Sequence, residues 1–352
     1  MTEEKKPSPL VSVCVPTYNG AEFFRECLAS IQAQTLQNFE VIIVDDESTD
    51  ATLAIAQEFA RTDARFRIHP NPKRLGLVGN WNRSLELARG EWIKFVFQDD
   101  TIEPTCLQRL VDACEHFQCP FGFSFRHILY DAHASAATRE FFDRHQKTLI
   151  ELYGERDGLV TAETFSRMTL ERPDWNLVGE PTVVLFKRAL AEKFGGFVPA
   201  MIQRCDTEYW VRLATNVGVV HIAERLATFR VHDKSTTSQN LSKREYRTRL
   251  VDPLVMQYLV LHEAHYAKFR QELYRADGKL VSWWRLIWSA HLAWSVAQNP
   301  TSEQAIKTEW DNVVAAYPKL KRLAHAGRGL TKIRAAIAAT GLDRHRKQRP
   351  LA

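Results

Sequence analysis

The chain has 352 residues, 45% hydrophobic and 25% charged. This is the make-up of a water-soluble globular protein with one large core and an appendage, and it excludes collagen-like, low-complexity and polytopic membrane classes. The formal net charge of +5 is unevenly spread: from Lys319 onward stand ten Lys or Arg and one acid, Asp343, so the tail carries +9 and the preceding body −4. A basic body suited to nucleic acid is therefore excluded. The cluster Arg344-His345-Arg346-Lys347-Gln348-Arg349 suits either an anionic lipid surface or a solvated terminus.

The first residues, Met1-Thr2-Glu3-Glu4-Lys5-Lys6, lack an apolar stretch, so no signal peptide is expected. Six cysteines without zinc-site spacing read as buried free thiols in a reducing compartment, and a cytoplasmic protein is expected. Residues 10–15 form an apolar strand, followed by the turn Pro16-Thr17-Tyr18-Asn19-Gly20. Phe24, Cys27, Leu28 and Ile31 then recur at helical spacing. A second buried strand, 39–44, ends in Asp45-Asp46-Glu47-Ser48-Thr49-Asp50. Ser48 or Thr49 is placed to cap the next helix, with Leu53, Ala56 and Ala60 inward. A short strand at 66–68 leads through a Pro-, Asn- and Gly-rich loop into a helix marked by Val78, Trp81, Leu85 and Ala88, which Gly90 is expected to end. The fourth strand, 92–97, runs into Asp99 and Asp100, with Pro104 in the first turn of the following helix.

This alternation demands a mostly parallel, doubly wound α/β sheet with right-handed crossovers, in which ligands bind at the carboxyl ends of the strands. The first turn has no Gly-x-Gly-x-x-Gly, which disfavours a nicotinamide-binding Rossmann enzyme. Two adjacent acids repel each other and need a proton or a cation. A hard divalent ion that also grips a diphosphate meets that need, and a solvated acidic loop is the plain alternative. After residue 125 the pattern weakens: 126–180 is mixed, followed by a strand at 182–186, a helix at 207–214 and strands at 219–222 and 227–231. From 242 onward the signals are helical. The tryptophan-rich segment 281–297 contains Arg285 and His291 and is slightly short for a spanning helix. It reads as a core or docking helix, or as an interfacial one.

Three blocks carry a resemblance: Val13-Cys14-Val15-Pro16-Thr17-Tyr18-Asn19, Val41-Ile42-Ile43-Val44-Asp45-Asp46-Glu47-Ser48-Thr49-Asp50, and Gly90-Glu91-Trp92-Ile93-Lys94-Phe95-Val96-Phe97-Gln98-Asp99-Asp100. In order and spacing they resemble family 2 glycosyltransferases over roughly residues 9–235. The resemblance implies a GT-A fold (Rossmann-like, mostly parallel, with flanking helices) plus a C-terminal helical extension. It implies an inverting, metal-dependent transfer from a nucleotide-diphospho-sugar, UDP-linked for preference, to a hydroxyl acceptor. A tail at 1–8, a transferase domain at 9–240 (9–125 for the nucleotide-sugar, 126–240 for the acceptor) and a helical region at 241–352 follow from it.

Pro16, Tyr18 and Asn19 would then meet the nucleoside, with Tyr18 stacked on the base. Asp46 would accept from a base imide, and Arg74 would bring a cation to the base or diphosphate. The family's Asp-x-Asp has lost its first acid to Phe97, leaving Asp99 as metal ligand and Asp100 beside it. Arg204-Cys205-Asp206-Thr207-Glu208 matches the segment that supplies the catalytic base, although Cys205 replaces an acid. Asp206 is the expected base, with Glu208 the runner-up. His232, in Phe229-Arg230-Val231-His232, is expected to coordinate the metal or contact the diphosphate, and Glu180 to lie on the acceptor side. The cofactor would be Mn²⁺ or Mg²⁺. The partners would be a nucleotide-sugar and a glycan or lipid-linked acceptor, as in surface-polysaccharide assembly, with possible peripheral membrane contact at the inner face. Two rivals stand beside this reading: a binding module of the same fold that has lost turnover, and a sugar-phosphate nucleotidyltransferase, which needs a glycine-rich loop after the first strand.

Overall fold

The computed structural model describes residues 8–132, 134–232 and 245–339, with side chains up to 329. The basic cluster at 344–349 and the segment after His232 lie outside the described residues.

Strand β1 (Val11–Thr17) is wholly buried, with β2 (Phe39–Asp45) on one side and β4 (Trp92–Phe95) on the other. Both pairings are parallel, and β3 (Phe66–Pro70) extends the sheet in parallel beyond β2. The near-continuous apolar runs of β1 and β2 are those of strands covered on both faces. The cover comes from the crossover helices α1 (Ala21–Gln32), α2 (Thr52–Thr62) and α3 (Gly76–Leu87). Beyond β4 the sheet is mixed. Its order is β3-β2-β1-β4-β8-β6-β9-β5, with β7 on β9. Strand β8 (Val184–Lys187), followed by α7 (Arg188–Phe194), lies antiparallel between β4 and β6 (Phe121–Tyr130). β9 (Val219–Val231) runs parallel to β6 and antiparallel to the short β5 (Thr101–Ile102). β8 is reached through a long excursion and not through a single crossover helix, so nothing forces it parallel.

That excursion is the segment whose pattern is weak in sequence. It holds α5 (Ala136–Tyr153), β7 (Gly158–Val160) and α6 (Ala162–Glu171). α5 buries only Phe142, Leu149 and Tyr153, too sparse a stripe to declare a helix. The two strands expected at 219–222 and 227–231 are one, with a register shift opposite Phe125.

Local corrections have physical causes. α2 starts at Thr52, because the Asp50 carboxylate, not Ser48 or Thr49, accepts from Thr52 N (3.0 Å) and from Ala21 N (3.1 Å). Its buried residues are Thr52, Ile55 and Ala56, with Leu53 and Ala60 half-buried. Pro104 precedes α4 (Cys106–His116), its carbonyl accepting from Thr35 N. Gly90 does not end α3. It is required because a Cβ there would lie 2.5 Å from Ser12 N and 2.7 Å from Val11 C. Gly90→Ala is therefore expected to destabilise the fold by about 1–3 kcal/mol through overpacking against β1, read as a lower denaturation midpoint in urea.

The C-terminal region continues the same hydrophobic core. It comprises α9 (Asp252–His262), α10 (Ala267–Asp277), α11 (Lys279–Ala297), α12 (Gln304–Ala316) and α13 (Lys319–Ala339). The buried Asp252 anchors it: one carboxylate oxygen accepts from the N–H groups of Ile202, Gln203 and Arg204, just ahead of α8 (Cys205–Val217). All six cysteines are free and buried. No helix among the described residues is long and apolar enough to cross a membrane.

Candidate active site at the carboxyl ends of the strands

The site begins where β1 and β2 end. Tyr18 leaves β1 with the Arg74 guanidinium 3.8 Å above its ring, so the two residues expected at the nucleoside share one place. Asn19 ties the two loops together, its N–H donating to Ser48 Oγ (2.9 Å) and its side-chain oxygen accepting from Thr49 N (2.8 Å). Pro16 differs from expectation: it is buried within β1, opposite Val44 of β2, and presents no surface to a ligand. Asp46, also buried, accepts from Asn71 Nδ2 (3.0 Å), Leu75 N (2.7 Å) and Gly76 N (2.9 Å). It thus caps the start of α3 and fixes the loop that carries Arg74. Its oxygens keep acceptor capacity beyond these three bonds.

The turn after β4 is organised by Gln98, which the sequence left without a role. Its side-chain oxygen accepts from Thr17 Oγ1 (2.6 Å) and Tyr18 N (2.9 Å), and its Nε2 donates to Tyr18 O (3.2 Å). Gly20 makes this possible, since a Cβ there would lie 2.3 Å from Gln98 Oε1. Phe97, where an acid was expected, packs its ring 4.8 Å from that of Trp81.

The two adjacent acids then part company. Asp100 turns inward and accepts from Thr182 Oγ1 (2.5 Å) and Arg230 N (3.0 Å). Burial, and next the charge of Asp99, push its carboxyl well above the usual range. Behind it the fully buried Lys94 donates to the carbonyl of Thr182. Asp99 points the other way and meets His232 Nε2 at 3.0 Å. Arg230 Nε donates to the Asp99 carbonyl (3.1 Å), holding the turn.

On the far side, the 3₁₀ turn Pro181–Val183 leads from Glu180 into β8. Glu180 is ion-paired with the buried Arg126 of β6: Nη2 donates to Oε1 (3.2 Å), and Nε lies 2.7 Å from Oε2. His145 of α5 also reaches this corner and meets Arg126 Nη2 (3.3 Å) and the Asn176 carbonyl (2.9 Å). Since Arg126 can only donate, His145 accepts at Nδ1 and donates from Nε2. Burial, followed by the charge of Arg126, lowers its pKa and keeps it neutral.

Asn176 in turn donates to Asp206 Oδ2 (3.1 Å), while Thr207 N donates to Oδ1 (2.6 Å). Asp206 stands in the first turn of α8. Burial pushes its carboxyl up to about 7, against a hydrogen bond from Thr207 N that lowers it, and the charge of Glu180 raises it further. Asn176 lies in the segment 175–181 that the sequence places on the acceptor side, whereas Arg126 and His145 carry no such signal, a lone Arg or His in a weakly patterned segment pointing to no task.

Glu208 is turned away from this corner. Two residues on from Asp206, it lies on the opposite side of α8, buried and bonded to Arg212 Nη2 (2.8 Å) and Tyr266 Oη (2.6 Å). Cys205 is also inward, its thiol donating to Ile202 O.

Among the described residues no three His, Cys, Asp or Glu side chains gather as a cation cage. Asp99 and His232 nonetheless fit a shared ion: donors 3.0 Å apart are spaced like neighbouring ligands of an octahedral ion with bonds of about 2.1 Å. The carboxylate oxygen suits either Mn²⁺ or Mg²⁺, and the imidazole nitrogen favours Mn²⁺ of the two, with the remaining positions left to phosphate oxygens and water.

A parallel first half, a mixed second half and acids gathered at the strand ends are the arrangement that the resemblance to a GT-A glycosyltransferase implies. The profile of the family described as Glycosyl transferase family 2 matches residues 12–169. An uncharacterized Mycobacterium tuberculosis protein, MT1568, is 33% identical over 236 residues, covering 67% of this chain and 72% of that one. Among solved structures, S. aureus TarS 1–349 in complex with UDP-GlcNAc superposes with a TM-score of 0.57 at 17% identity, covering 89% of this chain and 82% of that one. The mannosyltransferase PcManGT from Pyrobaculum calidifontis, in complex with GDP-Man and Mn²⁺, gives 0.54 at 18%, covering 97% and 89%. The chain belongs to glycosyl transferase family 2.

Proposed function

We propose that this glycosyltransferase is inverting and metal-dependent, and that it moves a sugar from a nucleotide-diphospho-sugar, UDP-linked for preference, to the hydroxyl of a glycan or lipid-linked acceptor in surface-polysaccharide or glycolipid assembly. Residues 9–240 form the transferase domain, and 241–352 its helical extension. We place the enzyme in the cytoplasm, at the inner face of a membrane where lipid-linked acceptors are presented. The observation that carries the reading is the run of contacts from the Asp99–His232 pair, through Asp100, Thr182 and the Glu180 corner, to Asp206. The nucleotide-sugars held by the two solved relatives in fold, and the Mn²⁺ held by one, support it.

In this mechanism the donor base stacks on Tyr18 and displaces or flanks Arg74, while Asn19 and Asp46 hold the loops around it. Asp99 and His232 would hold the divalent ion, which when bound would supply positive charge for the departing diphosphate. Asp100 stays inward and fixes the turn that presents Asp99. The acceptor oxygen attacks the anomeric carbon from the face opposite the diphosphate. As that C–O bond forms, the bond from the anomeric carbon to the diphosphate oxygen breaks and its electron pair leaves with the nucleotide. The acceptor proton passes to Asp206, whose carboxyl near 7 is poised to accept it at neutral pH. Glu180, neutralised by Arg126, positions the corner and tunes that carboxyl.

Thermal-shift titration with UDP and UDP-sugars, with and without Mn²⁺, tests the donor assignment, because a ligand that binds only the folded state raises its stability. The Mn²⁺-dependent part of the shift is expected to vanish with EDTA. In Asp99→Asn it is expected to need at least about tenfold more Mn²⁺. Binding without any turnover across an acceptor panel would instead favour the inactive binding module. Release of pyrophosphate from a nucleoside triphosphate and a sugar phosphate would favour the nucleotidyltransferase.

A further inference from the structure

Helix α11 is apolar on two sides. Its inner face is made of Ser282, Leu286, Ala290, Ala293 and Ala297, all buried. The opposite face carries Leu280 (74% exposed), Val281 (45%), Trp284 (44%), Trp288 (37%) and Leu292 (40%). These are five of the nine large apolar side chains exposed among the described residues. Four of them recur every fourth position, so they form one continuous stripe. A contiguous apolar patch of this kind marks an interaction surface.

What the stripe suits is set by its neighbour. α13 lies alongside α11: Gly327 packs against His291, His291 Nδ1 meets the Ala324 carbonyl at 3.1 Å, and the Trp294 and His325 rings are 5.2 Å apart. The stripe is therefore flanked by a helix running antiparallel to α11, whose exposed residues include Arg328 beside the stripe and Lys319, Lys321 and Arg322 past its Leu292 end. Neither α11 nor α13 contains a single Asp or Glu. Arg285, next to Trp284, is ion-paired with Asp277 at the end of α10, but on the α13 side the border is cationic without acids. Apolar side chains with outward indoles beside such cations are complementary to a bilayer surface: the indoles and leucines enter the headgroup boundary and the cations meet anionic lipid.

We propose that the α11 stripe and the adjoining cations of α13 dock this enzyme on an anionic membrane surface. Other occupants fit less well. A second copy in symmetric contact would bring two cationic helices together without acids to offset them. The chain's own last residues, 340–352, offer only Leu342 and Leu351 as large apolar side chains and are themselves basic, a composition poorly matched to an apolar stripe beside cations. The proposal gives a physical basis to the membrane placement in the proposed function, but it is tested without donor or acceptor. Its failure would therefore leave the transfer chemistry untouched.

The test is flotation of the full chain with vesicles of phosphatidylcholine alone or with 30 mol% phosphatidylglycerol (about 100 mM salt, near the regime where surface charge is only partly screened). The wild type is expected to float with the anionic vesicles, less with neutral ones, and to be released as salt rises. The double variant L280S/W284S, both changes lying on exposed positions, is expected to keep its thermal midpoint and to bind at least about tenfold more weakly, because two large apolar side chains no longer enter the bilayer. K321Q/R322Q is expected to lose the preference for anionic vesicles. No flotation of the wild type, or equal flotation of L280S/W284S, would overturn the proposal. So would a concentration-dependent dimer in light scattering that L280S/W284S abolishes, since a second copy would then be the occupant.

Discussion

Asp206→Asn is expected to lower the transfer rate by about 10²- to 10⁴-fold, the usual contribution of a positioned general base, while leaving nucleotide binding intact. The substitution is nearly isosteric and keeps a side-chain oxygen for Thr207 N, so the start of α8 is retained. In the wild type, the pH profile of kcat/KM is expected to rise with an apparent midpoint near 7, because burial has pushed this carboxyl up from its ordinary 3.8 to about 7 and only the ionised form can take a proton. Stability runs the opposite way. Between those two values the folded chain holds a proton at Asp206 that the unfolded chain releases, so stability declines as pH rises from about 4 to 7. Asp206→Asn removes that decline and is expected to be the more heat-resistant protein at pH 8. Radiolabelled transfer and differential scanning fluorimetry across pH read the two effects separately. Turnover within a few-fold of wild type would dismiss Asp206 as the base.

The first half of the fold was legible because its strands are covered on both faces and end in turns of distinctive chemistry. The register of α1 shows this well: Phe24, Cys27, Leu28 and Ile31 are its buried residues, as the spacing required. The second half was not, since α5 buries few apolar residues and β9 bulges where Ala223, Glu224 and Arg225 interrupt its pattern. At the site, sequence located the acids but not their directions. Asp99 and Asp100 are neighbours in a turn, yet one faces His232 and the other Thr182. Only the fold decides which is which. The two departures from the family pattern gain a physical reading on the same grounds. Phe97 lies against Trp81 and Cys205 is buried behind Asp206, so neither position now places a polar group toward a ligand. Gln98 escaped notice for a different reason: its task, clamping Tyr18 through space that Gly20 leaves open, involves residues 80 positions apart.

Glu208→Gln separates two readings of the second acid on α8. Glu208 and Arg212 form a buried ion pair, with side chains 0% and 3% exposed, and Arg212 also donates to the carbonyls of Phe194 and Gly196. Tyr266, in the turn between α9 and α10, donates to the same carboxylate. Removing the negative charge leaves the guanidinium buried without its counter-ion, and breaking such a pair costs about 3–5 kcal/mol. The expected result is a large drop in the urea midpoint, and looser attachment of the C-terminal helices, seen as faster amide exchange in α9 and α10. Replacing both partners, as in Glu208→Met with Arg212→Met, is expected to recover much of the loss, because no unpaired charge then remains. Below the unfolding transition, Glu208→Gln is expected to turn over at a rate close to wild type with the same pH midpoint, since its carboxylate faces the helical extension and not the Asp206 corner. A collapse of kcat with the fold intact would return Glu208 to the role of base and strip Asp206 of it.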